Sequence, residues 1–128
     1  MNKNFKELTK AEREIMHIYW ELEAGFVNDV MASLPEPKPA YNTVSTISRI
    51  LVSKGFLSYR AYGKSHQYYP VVSKEAYTEG MMHSVMQQYF DNSFKQLVSF
   101  FSQKEKVSIE ELEEILALLK QEENAKKP

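Results

Sequence analysis

The chain has 128 residues, 16 of them Lys or Arg and 17 Asp or Glu, for a net charge of −1, and it contains no cysteine. The missing thiols exclude disulfides, thiolate metal sites and cysteine nucleophiles, and they suit a reducing cytoplasm. No run approaches the ~18 apolar residues of a membrane span and the polar start has no secretory h-region, so neither membrane insertion nor export is expected.

Thr9-Lys10-Ala11-Glu12 has the spacing of a capping box, in which the Thr9 hydroxyl accepts from the Glu12 amide and the carboxylate reaches back. Behind it Ile15, Ile18, Tyr19 and Leu22 recur at i, i+3, i+4 and i+7, the apolar stripe of a first helix that Gly25 stops. Val27, Val30, Met31 and Leu34 mark a short second helix. Three prolines within residues 35–39 cannot continue it and form a stiff connector. A third helix is predicted over residues 41–54, with Val44, Ile47, Ile50 and Leu51 turned inward and Gly55 supplying a left-handed C-terminal residue. Two β-like segments follow, in which Tyr59, Tyr62, Tyr68 and Tyr69 favour strand and Gly63 gives the turn. Helix, helix, helix, hairpin is the order of a winged helix-turn-helix, assigned to residues 1–72.

After Pro70 the character changes. Ser73 can cap a helix running to about residue 101, with Met82, Val85, Met86, Tyr89, Phe90, Leu97, Val98 and Phe101 at broadly heptad-like positions. Ser108-Ile109-Glu110-Glu111 is a second capping box, opening a helix with Ile109, Leu112, Ile115, Leu116 and Leu119. Lys126, Lys127 and Pro128 are expected to fray. A chain of this length makes one domain, or a domain of about 70 residues plus an appendage that buries its apolar face on a partner. Two amphipathic helices cannot close a core alone, and a second copy of the chain is the simplest cover. Residues 73–128 are therefore read as a helical dimerisation region, with Val85, Tyr89, Phe90, Leu97, Phe101, Leu112, Ile115, Leu116 and Leu119 at the homodimer seam. The fold class expected is mainly α with a small β-hairpin wing.

Charge is sorted in one place. Between residues 37 and 72 stand five basic side chains (Lys38, Arg49, Lys54, Arg60 and Lys64) and no acid. A polar, hydroxyl-rich helix beside a basic hairpin suits duplex DNA, the helix in the major groove and the hairpin at the phosphates. The candidate contacts are Tyr41, Asn42, Thr43, Ser45, Thr46 and Arg49 on the helix, with Arg60 and Lys64 on the hairpin. Thr and Ser are mediocre helix formers whose hydroxyls compete for backbone bonds, so Thr43, Ser45 and Thr46 at a helix front ask for a reason. The bland reading of the same residues is a solvated helix face and solvated charges. Catalysis has no candidate, and no cofactor or metal is expected. His17, His66 and His83 lack a second ligand type at metal spacing, while Glu110, Glu111, Glu113 and Glu114 read as a solvated face near a helix N-terminus.

In order along the chain, Thr9-x-Ala11-Glu12 with Ile15-Met16 and Tyr19-Trp20, Thr43-Val44-x-Thr46 with Leu51, Lys54-Gly55, Tyr68-Tyr69-Pro70, Leu97-Val98 and Glu113-Glu114-Ile115 resemble the BlaI/MecI penicillinase repressor family. The resemblance covers nearly the full chain. It implies a dimeric winged-helix repressor on an inverted-repeat operator, controlling resistance genes that answer β-lactams. It also implies a membrane sensor protease as a further partner and inactivation by cleavage in the dimerisation region. By the same resemblance Asn42, Thr43, Ser45 and Thr46 match the recognition face, and the scissile bond aligns to Phe100–Phe101. Two residues depart from the family pattern: Ile50 stands where Arg is frequent, and Phe100 where Asn commonly precedes the cleaved bond. The family's copper-responsive branch binds metal through cysteines, which this chain lacks. The competing reading is a winged-helix protein-interaction module that does not bind DNA specifically. Ile50 and the near-neutral charge favour that reading, and the acid-free segment and hydroxyl helix oppose it.

Overall fold

A computed structural model describes residues 7–104 and 107–126. In chain order it contains α1 (Lys10–Leu22), α2 (Val27–Ser33), α3 (Tyr41–Ser53), β1 (Leu57–Tyr62), β2 (Ser65–Pro70), α4 (Lys74–Phe90), α5 (Phe94–Lys104) and α6 (Ile109–Lys126). The strands form one antiparallel hairpin in which Leu57 faces Pro70 and Tyr62 faces Ser65. This is the expected winged-helix order with helices behind it. The chain falls into two compact units, Met1–His83 and Ser84–Pro128.

The capping box at Thr9 forms as its spacing predicts. Thr9 Oγ1 accepts from the Glu12 amide at 3.2 Å, and the Thr9 amide donates to Glu12 Oε1 at 3.0 Å. Ile15, Met16, Ile18 and Tyr19 are buried, whereas Leu22, expected in the stripe, sits at the rim with 36% of its surface exposed. The helix stop differs from expectation. Glu23, not Gly25, takes the left-handed conformation (φ +68°) and donates its amide to Tyr19 O at 2.9 Å. Gly25 pairs instead with the wing: its amide donates to Tyr68 O at 2.9 Å and its carbonyl accepts from the Tyr68 amide at 2.8 Å.

α3 buries Val44, Ser48 and Leu51, and it leaves Ile50 facing outward, contrary to the sequence reading. Each residue advances about 100° around a helix, so Ser48 and Leu51 fall within about 40° of Val44, one to either side of it, while Ile50 falls well off that line. Ser48 is tolerated there because its hydroxyl is satisfied. It lies 2.8 Å from the Tyr19 hydroxyl and donates to Val44 O at 2.9 Å. Gly55 closes the helix as predicted, at φ +87°, with its amide on Val52 O and the Phe56 amide on Leu51 O. A salt bridge of 2.7 Å from Lys54 to Glu12 ties the end of α3 to the start of α1. Burial works to raise the Glu12 carboxyl, but the Lys54 ammonium and the Thr9 hydrogen bonds outweigh it and hold the group below its ordinary value.

The first turns of α4 belong to this same core. Ser73 accepts from the Ala76 amide at 3.0 Å, and Tyr77 is buried between the rings of Trp20 and Phe56. The Leu8 amide donates to the Tyr77 hydroxyl at 3.3 Å.

The helix expected to reach residue 101 is broken. α4 ends at Phe90, Asp91 and Asn92 both take positive φ (+51° and +59°), and Ser93 caps α5 by accepting from the Gln96 amide at 3.1 Å. Asp and Asn accept the left-handed region better than other residues with a Cβ, and Ser is a favoured cap, so Asp91-Asn92-Ser93 is a stop followed by a start. The apolar pattern continues across the break and hid it. Before α6, Ser108 and Glu111 form the second capping box as expected. α6 runs to Lys126, which was expected to fray; Lys127 and Pro128 lie outside the described residues.

Candidate nucleic-acid interface

The outward side of α3 follows from its inward side. With Val44, Ser48 and Leu51 buried, helical rotation carries Asn42, Thr46, Arg49 and Ser53 to the opposite line, flanked by Thr43 and Ile50. All six are exposed. The hydroxyls on this face have a structural use: Arg49 Nη1 donates to Ser45 Oγ at 3.1 Å and Nη2 to Thr46 Oγ1 at 3.3 Å. The guanidinium is laid back along the helix by bonds that a better acceptor can replace.

Across from α3 stands the wing. Its loop is two residues long, with Gly63 at φ +63° in the first position, as a tight hairpin turn of the type II′ kind requires. Lys64 follows at the tip, exposed. Between α2, α3 and the wing lies a cleft of about 540 Å³ lined by Phe26, Asn28, Asp29, Tyr41, Ser45, Arg49, Tyr62, Lys64, Ser65, His66 and Tyr68, with Val27 behind them. Four sequence candidates therefore meet here: Tyr41, Ser45, Arg49 and Lys64. Asn42, Thr43 and Thr46 lie on the exposed surface of α3 outside the cleft lining. Arg60 is not brought to the cleft; its guanidinium rests over the Tyr69 ring, 4.5 Å from the centroid.

The one acid among the lining residues is Asp29, and its carboxylate accepts from the Phe26 amide at 2.8 Å as the cap of α2. The cleft thus sets two cations, Arg49 and Lys64, beside a single carboxylate, one of whose oxygens also serves as a helix cap. Burial pushes the Tyr68 phenol above its ordinary value, with the Arg49 charge pulling the other way. Behind α3, burial pushes Tyr19 up to about 12 despite its bond to Ser48. Sequence reasoning passed over Phe26, Asn28, Tyr62, Ser65 and His66. Hairpin register, which pairs Tyr62 with Ser65 and Ala61 with His66, could have found the wing residues; nothing local marks Phe26 or Asn28.

The second unit carries the residues assigned to self-association. Within one chain α5 and α6 bury no residue at all, and Tyr89 (72%), Leu119 (52%), Leu116 (51%), Phe101 (43%) and Ile115 (41%) are exposed, with Val85, Phe90, Leu97 and Leu112 half-buried. Phe100 and Phe101 lie inside α5, exposed, with ring centroids 5.4 Å apart and Phe90 5.8 Å from Phe100. Among the described residues no three His, Asp or Glu gather as a metal site, and no helix is long and apolar enough to cross a membrane.

The penicillinase repressor family profile matches residues 8–121. The penicillinase repressor of Bacillus licheniformis is 25% identical over 126 residues, covering 98% of each chain. The methicillin resistance regulatory protein MecI of Staphylococcus aureus (strain N315) is 28% identical over 119 residues, covering 92% of this chain and 96% of its own. By name one is a repressor and the other a regulatory protein, and neither is an enzyme. Among solved structures, hsRosR in its S4 complex superposes with a TM-score of 0.52 at 14% identity, covering 95% of each chain, a likeness of fold.

Proposed function

Because the chain belongs to the penicillinase repressor family, we propose that it is a cytoplasmic, homodimeric repressor that binds double-stranded operator DNA carrying an inverted repeat. In this reading it resembles the regulators of β-lactam resistance genes. The observation that carries the reading is the juxtaposition on the first unit: the outward line Asn42, Thr46 and Arg49 of α3, and Lys64 across a cleft whose one acid is committed to a cap. A helix of that kind fits the major groove. Arg reads guanine through paired donors and Asn reads adenine, and a lysine at a wing tip neutralises backbone phosphate. Arg49 would exchange its two hydroxyl acceptors for a base edge.

Residues 1–72 supply the DNA contacts in this proposal, and residues 73–128 the dimer. The exposed apolar side chains of α4, α5 and α6 support self-association, because a water-facing face with Tyr89, Leu116 and Leu119 gains stability only when covered. Two half-sites read by one dimer account for an inverted repeat. A membrane sensor protease cutting Phe100–Phe101 would sever α6 from the rest and leave the winged helix intact. The bond lies inside α5, so cutting it requires the last turns of that helix to unwind first. The test is selection of duplexes from a random pool by the full-length chain, followed by sedimentation of the complex. Enriched inverted repeats with two chains per duplex are expected. A pool that stays random, with binding indifferent to salt, would instead identify a protein-docking module.

A further inference from the structure

We infer that His66 is a further DNA contact, a titratable third cation at the phosphate-facing cleft that links DNA affinity to pH; the inference rests on the DNA-binding reading above. His66 lines the cleft beside Lys64 and Arg49, at a position on β2 fixed by its pairing with Ala61. The ring is held from two sides: it stacks on Tyr59 with centroids 4.2 Å apart and planes 12° from parallel, and it meets Tyr68 edge-on at 6.1 Å. A stacked imidazole keeps both nitrogens in its own plane, aimed away from the partner ring and available as donors once protonated.

The groups that face the cleft come from every element around it. α2 contributes Asp29, α3 Tyr41 and Arg49, β1 and its end Tyr59 and Tyr62, the turn Lys64, and β2 Tyr68. Arg and Lys keep their charge and tyrosine stays neutral through the neutral range, and Asp29 is bound to the Phe26 amide. Imidazole is the side chain whose charge ordinarily changes there. A phosphate in the cleft favours the imidazolium over the neutral ring, so DNA binding draws in a proton and, reciprocally, protonation tightens binding. The other two histidines stand elsewhere: His17 packs edge-on against Trp20 at 5.3 Å, and His83 lies on α4.

The test is anisotropy titration of the full-length chain against a mixed-sequence duplex of about 30 base pairs, which reports phosphate contacts whatever the operator is. It is run at pH about 6 and about 8, across salt from about 50 to about 200 mM. One extra phosphate neutralised at the lower pH steepens the salt slope by about 0.9, so affinity falls roughly threefold further across that salt range. His66→Gln, which keeps a planar polar side chain without the charge, should show at both pH values the slope of the wild type at pH 8. His66→Lys should hold the steep slope at both. A wild-type slope that ignores pH, or a pH effect that survives His66→Gln, would overturn the inference while leaving DNA binding in place. Absence of any salt-dependent binding at both pH values would overturn the DNA-binding reading and the inference together.

Discussion

Ser48→Ala should destabilise the winged helix more than removing the same bond from its other end. In the folded chain Ser48 Oγ and Tyr19 Oη lie 2.8 Å apart, both residues are fully buried, and no buried side-chain nitrogen or oxygen among the described residues lacks a partner. Alanine at 48 strands the Tyr19 hydroxyl in that dry site, a loss of about 1–3 kcal/mol. Tyr19→Phe removes the stranded group itself, and Ser48 keeps its bond to Val44 O at 2.9 Å, so about 0.5–1.5 kcal/mol is lost. The double variant leaves nothing unsatisfied and should be more stable than the sum of the singles by about 1 kcal/mol. Thermal melts at one fixed protein concentration read the difference, roughly 4 °C for each kcal/mol at this size. The same pair sets an alkaline limit. With the folded phenol raised from 10.0 to about 12, the folded state favours the protonated form. The contribution of Tyr19 to stability is therefore full below pH 10 and is lost as pH climbs toward 12, a slope that Tyr19→Phe should flatten. Strictly additive single costs would refute the argument.

Arg49→Ala should weaken binding to a selected operator by about 1–3 kcal/mol with little effect on random duplex, whereas Lys64→Ala should weaken both and flatten the salt slope; unchanged operator affinity at two salt concentrations would remove Arg49 from the interface. Leu116→Asp should put an unpaired charge in the proposed seam at a cost of several kcal/mol, so sedimentation should find monomer; a persisting dimer places the seam elsewhere. Glu12 is held below its ordinary 4.5 by Lys54 and Thr9 against the effect of burial. Its contribution is present above pH 4.5 and disappears as pH falls below that, so Glu12→Gln should remove part of the acid-side loss of stability seen in chemical denaturation.

The parts of the fold that were legible are those written in adjacent residues. Both capping boxes, the proline stop and the left-handed Gly55 depend on side chains within a turn of the backbone they satisfy. Three features were misread for one reason: polar residues that look like loop or surface were doing interior or terminal work. Ser48 was given no inward role because its partner Tyr19 is 29 residues away. Glu23 took the turn that Gly25 was assigned because Gly25 answers to Tyr68. Asp91-Asn92 broke a helix inside an apolar pattern that ran on past it. Of the interface, the charges and hydroxyls could be read; which of them converge could not, since Lys64 approaches Arg49 only through the hairpin's placement.

That placement rests on the pair of backbone bonds between Gly25 and Tyr68. A two-stranded hairpin alone is marginal in water. Here the loop between α1 and α2 adds a third rung, and the wing is anchored at its root to the helices. The consequence is a constraint on length change during evolution. The loop at residues 23–26 must deliver one residue, without a Cβ pressing on Leu22 Cδ1 at 3.0 Å, to a fixed partner on β2. Added or deleted residues there would swing the wing away from α3. Among the described residues the proline connector at residues 35–39 makes no backbone bond to the wing, its tie being the Lys38 ammonium donating to Met31 O at 2.7 Å, so variation in chain length is better absorbed there.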